Sequence, residues 1–368
     1  MNITSGPTIV AVVSGHTSVA VYNQTSLPLA SPVLRRFSSA TSGPWFAQST
    51  AMTTIPDLPV YAASEGESSQ QAGAIDKETL RELMQPSLWR WFWRVSIDWS
   101  LIVTAMLIAG FTHHWAAYVF AATVTGIGLH RLAIMAHEGT HRQISKKKRF
   151  NDFITGFFCL WPVGNPVGGY RRFHFTHHRY LNTDGDVELH QKAKSAPAWD
   201  LPATRWTVLK YVLRDVCLLH VIELFRLSHR VRPGTGWADA VLPNIWLLCA
   251  AGLLIWFGQW WVIVTWYLGT AMVFWPIFRL RVWTEHVGTV DTHRVAAPWY
   301  VRFWLLPHNT WCHYEHHRYP QVPCWHLPRI RELIGNTPEI VPLFSVTDVF
   351  ENAPPISSGA TVPKLTRN

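Results

Sequence analysis

Eight of the 19 histidines in the chain fall into three short clusters. The first cluster lies in HEGTH, the second in HFTHH and the third in HYEHH. Residues three or four positions apart lie on one face of a helix, so each cluster directs its imidazoles to a common point. Neutral imidazole is a ligand for zinc, copper, iron and nickel. The clusters therefore predict a metal site, and their members are His137 and His141 in the first, His174, His177 and His178 in the second, and His313, His316 and His317 in the third.

The number of histidines narrows the kind of metal site. A zinc ion takes three or four protein ligands, whereas eight histidines can hold two ions and leave room for a small molecule. HEGTH also fits the HExxH pattern of zinc peptidases, in which Glu138 would be the general base. The other two clusters are surplus to that mechanism. Two ions are therefore favoured, and a zinc-dependent membrane hydrolase stays the alternative.

Four apolar stretches are the elements that could position the clusters. They cover residues 95–111, 115–129, 238–258 and 260–278, and each approaches the roughly 20 residues that cross a bilayer. The chain is 48% hydrophobic and only 15% charged, which is less charge than soluble proteins carry. The prediction is an all-α integral membrane protein with about four transmembrane helices in two hairpins. An unusually apolar soluble bundle is the alternative, since Asp98 interrupts the first stretch.

The distribution of basic residues predicts the topology. The turns at 112–114 and Gln259 contain no Lys or Arg, whereas KKKR at 146–149 and many arginines lie between the hairpins. By the positive-inside tendency, both termini and the central segment face the cytoplasm. All three clusters follow span ends on that side, so a cytoplasmic helical cap can bring them together. A histidine-rich metal transporter would instead place its ligands within the spans.

The two ends of the chain and its net charge indicate the domain bounds and the kind of partner. Residues 1–75 are rich in Ser, Thr, Ala and Pro, which predicts a disordered N-terminal tail, with a targeting segment as the alternative. We expect a membrane domain over 76–350 and a flexible C-terminal tail over 351–368. The net charge of +9 suits a lipid bilayer or an acidic partner. Nucleic acid is not predicted, because the basic residues interleave with apolar runs.

Three longer motifs carry a family resemblance. HEGTH, HFTHHRYLNTDGDVEL and HNTWCHYEHHRYPQVPCWHLP, interleaved with two hydrophobic hairpins, resemble the integral-membrane fatty acid desaturase and hydroxylase superfamily over about residues 85–345. The resemblance implies a non-haem centre of two irons held by the histidines, with dioxygen as co-substrate. It also implies a separate electron donor, of the ferredoxin or cytochrome b5 type. No haem-binding HPGG segment is present in the sequence.

The same resemblance suggests further residues of the site. It implies a ninth ligand before the third cluster, and His286 in RVWTEHVG is the candidate. The isolated His130, His190, His293, His308 and His326 are predicted not to be ligands. Ligating imidazoles usually donate their other N–H to a carboxylate or carbonyl, although solvated or capping charge is an equal alternative for each acidic candidate. The candidates for this supporting role are Asp184, Asp186, Glu188, Glu285, Asn309 and Glu315.

The resemblance leaves the reaction partly open. It implies dioxygen-dependent oxidation of an unactivated C–H bond in a fatty acyl substrate, with desaturation favoured. Acyl or carotenoid hydroxylation and oxidative decarboxylation to terminal alkenes use the same clusters. The acyl chain would enter a tunnel between the helices. Aromatic residues that could line this tunnel are Trp161, Phe173, Phe175, Trp275, Trp283 and Trp311.

Overall fold

The structure is a computed structural model that describes residues 75–335 and 340–342, except 182, 184, 196–197, 200–202, 232–233, 287–291 and 293. The two predicted tails therefore lie outside the described residues. Most of the described part is helical. The helices are α1 (Lys77–Leu83), α2 (Leu88–Thr112), α3 (Trp115–Thr140), α4 (Lys148–Thr155), α5 (Val167–Tyr180), α6 (Val187–Lys194), α7 (Arg205–Val216), α8 (Val221–Val231), α9 (Trp237–Trp256), α10 (Trp260–Gly269), α11 (Trp275–His286), α12 (Trp299–Trp304), α13 (His313–Arg318) and α14 (Leu327–Ile334).

Four helical segments of the described part are long and apolar enough to cross a membrane. They are Leu88–Thr112, Trp115–Thr140, Trp237–Trp256 and Trp260–Glu285. The last combines α10, a π-helical turn over Thr270–Phe274 and most of α11. This confirms the predicted class, a helical membrane protein. The second segment is longer than its apolar stretch, because α3 continues without interruption into the first cluster.

Local sequence explains the first hairpin. The Ser87 side chain caps the start of α2, and the left-handed conformation of His113 (φ 51°) ends it. The His114 side chain then accepts the backbone N–H of Ala116 at the start of α3. Close packing follows, because a Cβ added at Gly128 of α3 would lie 2.5 Å from the Ile102 side chain of α2. The two helices therefore form an antiparallel pair that directs the first cluster to one end of the hairpin.

A buried charge network packs the segment between the hairpins onto the fourth span. Asp215 of α7 accepts from Nε of Arg279 at 2.5 Å, and from Nη2 of Arg279 and Nδ1 of His220 at 3.0 Å each. Arg279 also donates to Glu223 of α8 at 2.7 Å. Its guanidinium lies 4.4 Å from the ring centroid of Trp199. Helices α7 and α8 are thus fixed to α11, as the predicted helical cap requires. The side of the membrane on which they lie stays a prediction.

A two-stranded sheet is the one β-structure in the described part, and the sequence did not predict it. Strand β1 (Arg294–Ala296) pairs in parallel with β2 (Ile340–Pro342). Arg294 of β1 is fully buried and donates through Nε to Glu315 in the third cluster at 2.5 Å. The sheet therefore anchors the short helix α13 from one side.

Candidate metal centre

Three helical segments carry the clusters. His137 lies in the last turn of α3, and His141 is its C-terminal cap. The second cluster lies in the last two turns of α5, and the third occupies most of α13. The predicted convergence on a common point therefore holds for the pairs four residues apart, His137 with His141, His174 with His178 and His313 with His317. The arrangement between the clusters depends on how the three segments pack.

Five of the histidines form one group, called here the five-histidine group, which consists of His137, His141, His174, His178 and His316. One nitrogen atom of each lies within 4.8 Å of those of the others. The Nε2 atoms of His141 and His178 are each 2.9 Å from Nε2 of His174. Nε2 of His316 is 3.1 Å from Nε2 of His178. Ligands of one ion with metal–nitrogen bonds of about 2.1 Å lie about 3 Å apart when they are at right angles, so this geometry fits an ion.

The other three histidines of the clusters form a second, adjacent group, called the three-histidine group. Nε2 of His313 is 3.1 Å from Nε2 of His317. The ring of His177 lies 5.5 Å from that of His317, between centroids. The ring of His317 also stacks on His178 of the five-histidine group at 4.3 Å. The two groups are therefore in direct contact through His178 and His317.

Carboxylates contact the outer nitrogens of the three-histidine group. Nδ1 of His177 lies 3.1 Å from both oxygens of the buried Asp186 and 3.7 Å from Glu188. A carboxylate only accepts hydrogen bonds, so this Nδ1 carries the proton and Nε2 is left for a metal. Nδ1 of His313 lies 3.6 Å from Glu285. Three of the candidate supporting residues thus lie beside histidines of this group, and their supporting role stays a prediction.

The remaining predicted residues lie elsewhere or outside the described part. Glu315 directs its carboxylate to Arg294, and Nδ2 of Asn309 donates to the Cys324 carbonyl at 3.0 Å. Asp184 is outside the described residues. His286 ends α11, but its side chain is not among the described ones, so its role as a ligand stays a prediction.

Glu138 was not among the predicted supporting residues. It is 2% exposed, with Oε1 3.4 Å from Nδ1 of His137. Its Oε2 accepts the backbone N–H of Cys324 at 2.7 Å. The carboxylate thus contacts a histidine of the first cluster and binds the segment that follows the third. The position of Glu138 next to His137 could have indicated this role. The peptidase pattern instead suggested that Glu138 is a general base.

Burial keeps three histidines of the site neutral. Burial lowers the pKa of His141, His174 and His316 well below the usual value, and neighbouring imidazoles lower it further. Burial alone would also lower the pKa of His177, but Glu188 and Asp186 outweigh it and the net shift is upward. Metal ligands must be neutral imidazoles. Three members of the five-histidine group, His141, His174 and His316, are therefore neutral at neutral pH and available to bind a cation.

Two cavities lie close to the site, and the first is lined by its histidines. The first is lined by His137, His313 and His316 together with the buried thiols Cys312 and Cys324. The second lies between α5, α6, α8 and α11, and its accessible surface is mainly apolar, although five of its eleven lining residues are polar or charged. Its lining includes Phe173, Glu188, Trp199, Leu227, Trp275 and Phe278.

Comparison with known proteins adds to this geometry. The family described as fatty acid desaturase matches residues 113–344. A human sphingolipid delta(4)-desaturase/C4-monooxygenase is 28% identical over 258 residues, which cover 64% of this chain and 73% of the relative. A chicken sphingolipid delta(4)-desaturase is 25% identical over 291 residues, covering 72% and 80%. A Drosophila melanogaster sphingolipid delta(4)-desaturase is 25% identical over 230 residues, covering 59% and 65%.

Proposed function

The chain belongs to the fatty acid desaturase family, and from this premise we propose that it is a membrane-bound oxidoreductase that introduces a double bond into the acyl chain of a lipid. The observation that carries the proposal is the convergence of five imidazole nitrogens at the end of an apolar helical hairpin. The substrate is a fatty acyl chain in our proposal, and the printed names of the relatives make a sphingolipid the first carrier to test.

The residues present fit two irons. The five-histidine group would hold one ion, and the three-histidine group, joined by His286, would hold the other. An all-imidazole donor set suits iron as well as zinc, but only a redox metal serves the oxidation of an unactivated methylene. When bound, the two irons supply the activation of dioxygen that amino-acid side chains cannot provide.

The chain's own residues orient and shield this chemistry. Asp186 holds the proton of His177 on Nδ1, which fixes the ring and its tautomer. Glu138 acts in the same way beside His137 while it binds the segment after the third cluster. Tight burial excludes water, since His174, His177, His313 and His316 are each less than 10% exposed.

The cavity between α5, α6, α8 and α11 supports an acyl substrate. Its accessible surface is mainly apolar and includes aromatic side chains, as in small-molecule sites. Its lining includes Glu188, whose carboxylate lies 3.7 Å from Nδ1 of His177. The charged groups on its walls are paired, Glu188 with Lys192 and Glu223 with Arg279. Phe173 and Trp275, two of the aromatic residues predicted to line a tunnel, line this cavity.

Glu138 favours an oxidoreductase over a zinc hydrolase. A peptidase of the HExxH type needs this carboxylate free to take a proton from water. In this structure one of its oxygens accepts a backbone N–H and the other lies beside His137. Two of the three clusters would also have no task in such an enzyme.

Electrons must come from outside the described chain in this proposal. The donor is a separate ferredoxin or cytochrome b5-type protein. The exposed Lys146, Lys147 and Arg149 follow the first cluster by a few residues, and a basic surface would steer an acidic donor to it. The clusters and both termini face the cytoplasm, where such a donor is reduced.

The test is analysis of lipids from cells that express the chain, compared with an empty vector. Saturated fatty acids and a saturated sphingoid base are fed separately, and mass spectrometry locates any new double bond. Activity requires dioxygen and a reductant, to which a hydrolase would be indifferent. His316→Ala abolishes the product, while the control His326→Ala, which changes a predicted non-ligand, keeps it.

A product other than a new double bond would indicate a different reaction. An alkene one carbon shorter than the fatty acid would replace desaturation by oxidative decarboxylation and keep the metal site. A hydroxylated acyl chain would indicate a monooxygenase. Product formation that persists without dioxygen would refute the proposal.

A further inference from the structure

A carboxylate inside the first membrane-spanning helix organises a buried polar network. Asp98 of α2 is fully buried. Its Oδ1 accepts from Nε of Arg131 at 2.5 Å, and its Oδ2 lies 2.8 Å from Nε2 of His308. Because a carboxylate only accepts hydrogen bonds, Nε2 of His308 is the donor. Two helices of a hairpin and the loop before the third cluster therefore meet at one side chain.

The same network also binds residues 303–305, which precede that loop. Arg131 donates through Nη1 to the carbonyl of Phe303 at 2.8 Å. His130, its neighbour in α3, donates through Nε2 to the carbonyl of Leu305 at 3.0 Å. Residues 303–308 are thus attached to α3 at two backbone carbonyls and to α2 at one side chain. The attachment ends five residues before the third cluster begins.

The loop itself has a backbone that needs support. His308 and Asn309 are consecutive residues in the left-handed region, with φ of 52° and 66°. Residues other than glycine hold this conformation only where their surroundings fix it. Two side-chain bonds supply that support: His308 to Asp98, and Asn309 to the Cys324 carbonyl. The reversal they maintain sets the direction in which α13 starts.

We infer that His308, held by Asp98 and Arg131, is a positioning residue for the third cluster, so that a buried ion pair inside the membrane span determines where His313, His316 and His317 lie. The inference rests on the proposed metal site. It also explains why a charged residue interrupts an apolar stretch, since ionisable groups within spans are retained where they have a task.

A second network of the same composition provides a matched control. Asp215 is paired with Arg279 at 2.5 Å and with His220 at 3.0 Å, and it is buried like Asp98. It connects α7 to α11 and does not touch the loop of the third cluster. A general loss of stability should therefore follow from substitution at either aspartate or its partners, whereas an effect on the third cluster should follow only from the His308 network.

Two substitutions at His308 separate the hydrogen bond from the backbone conformation. His308→Asn keeps a residue that tolerates left-handed φ but is too short to reach Asp98. His308→Gln keeps a side-chain N–H at about the reach of Nε2. The control is Asp215→Asn. The readouts are the affinity of the purified, metal-free full chain for Fe²⁺ and hydrogen exchange of the backbone over 309–318.

We expect His308→Asn to weaken Fe²⁺ binding by roughly 10- to 100-fold, the usual effect of losing a group that orients ligands, and to speed exchange over 309–318. His308→Gln restores both towards wild type. Asp215→Asn keeps the affinity for Fe²⁺ even where its melting temperature falls as far as that of His308→Asn. Unchanged Fe²⁺ affinity in His308→Asn, or equal weakening in Asp215→Asn, would overturn the inference. If the wild type bound no Fe²⁺, the proposed metal site would fail and hydrogen exchange alone would decide the positioning role.

Discussion

The Glu138 carboxylate accepts the backbone N–H of Cys324 at 2.7 Å, which ties the first histidine cluster to the chain that follows the third. Both residues are buried, so neither group can turn to water instead. Glu138→Ala leaves this N–H unpaired, at a cost of about 1–3 kcal/mol of folding free energy. Glu138→Gln keeps an oxygen acceptor at the same position and should lose much less.

Thermal unfolding and iron per chain test this role together. Glu138→Ala should lower the melting temperature and the iron content, while Glu138→Gln retains most of both. A general base would behave differently, since Gln would then abolish activity as completely as Ala while iron stayed bound. Loss of activity in both variants with iron still bound would indicate that Glu138 is a general base, as in the peptidase pattern.

The division of the histidines into two groups predicts unequal effects within the third cluster. His316→Ala leaves four imidazoles in the five-histidine group, enough for an ion. His317→Ala leaves His177 and His313 as the described members of the other group. Both variants should lose activity, but His317→Ala should fall to about one iron per chain while His316→Ala stays closer to two. Elemental analysis of the purified variants checks this, and equal losses would contradict the division.

The spacing of the histidines predicted the clusters but could not predict this division. Adjacent residues of a helix point about 100° apart, so His177 and His178 enter different groups, as do His316 and His317. Which neighbour meets which cluster depends on the packing of α3, α5 and α13. Four apolar stretches, by contrast, identified the spans correctly, because length and hydropathy are local properties.

Asp98 shows the limit of local reasoning most directly. In the sequence Asp98 is only a charged residue that interrupts an apolar stretch. Its partners Arg131 and His308 are 33 and 210 residues away, so the local sequence does not indicate them. Glu315 shows the opposite case, because its place between two histidines suggested support for a ligand. Its carboxylate instead pairs with Arg294, which lies 21 residues earlier.

The lowered pKa values of three histidines predict how pH affects the metal-free protein. In His141, His174 and His316 the folded pKa lies below the ordinary 6.5. The unfolded chain therefore binds more protons below pH 6.5, and stability is lost as the pH falls from there towards the folded values. His177, with a raised pKa, acts in the opposite sense: its contribution is present below pH 6.5 and lost as the pH rises through the raised value.

Among the site histidines with shifted pKa values, three have lowered values and one has a raised value, which gives a net direction that can be measured. The melting temperature of the metal-free protein should fall between about pH 7 and pH 5. His316→Ala removes one of the three groups and should make this fall shallower. Bound iron should oppose it at the upper end of the range, because protons and metal compete for the same nitrogens. A melting temperature that rose on acidification would show that His177 or other groups dominate.

The last prediction concerns the side of the membrane on which the metal site lies. Thr112, at the turn between α2 and α3, and Lys147, beyond the other end of α3, are both exposed. If the basic loop is cytoplasmic, as the positive-inside tendency predicts, a cysteine at 112 faces the outside and one at 147 the inside. We would introduce Thr112→Cys and Lys147→Cys separately after changing the exposed Cys217 and Cys249 to Ser. In spheroplasts of a bacterial host, a membrane-impermeant maleimide should label the first at once and the second only after lysis. If instead position 147 were labelled at once and position 112 only after lysis, the histidine clusters would lie outside the cell, away from any cytoplasmic electron donor. That result would refute the proposed topology but would not affect the proposed metal site.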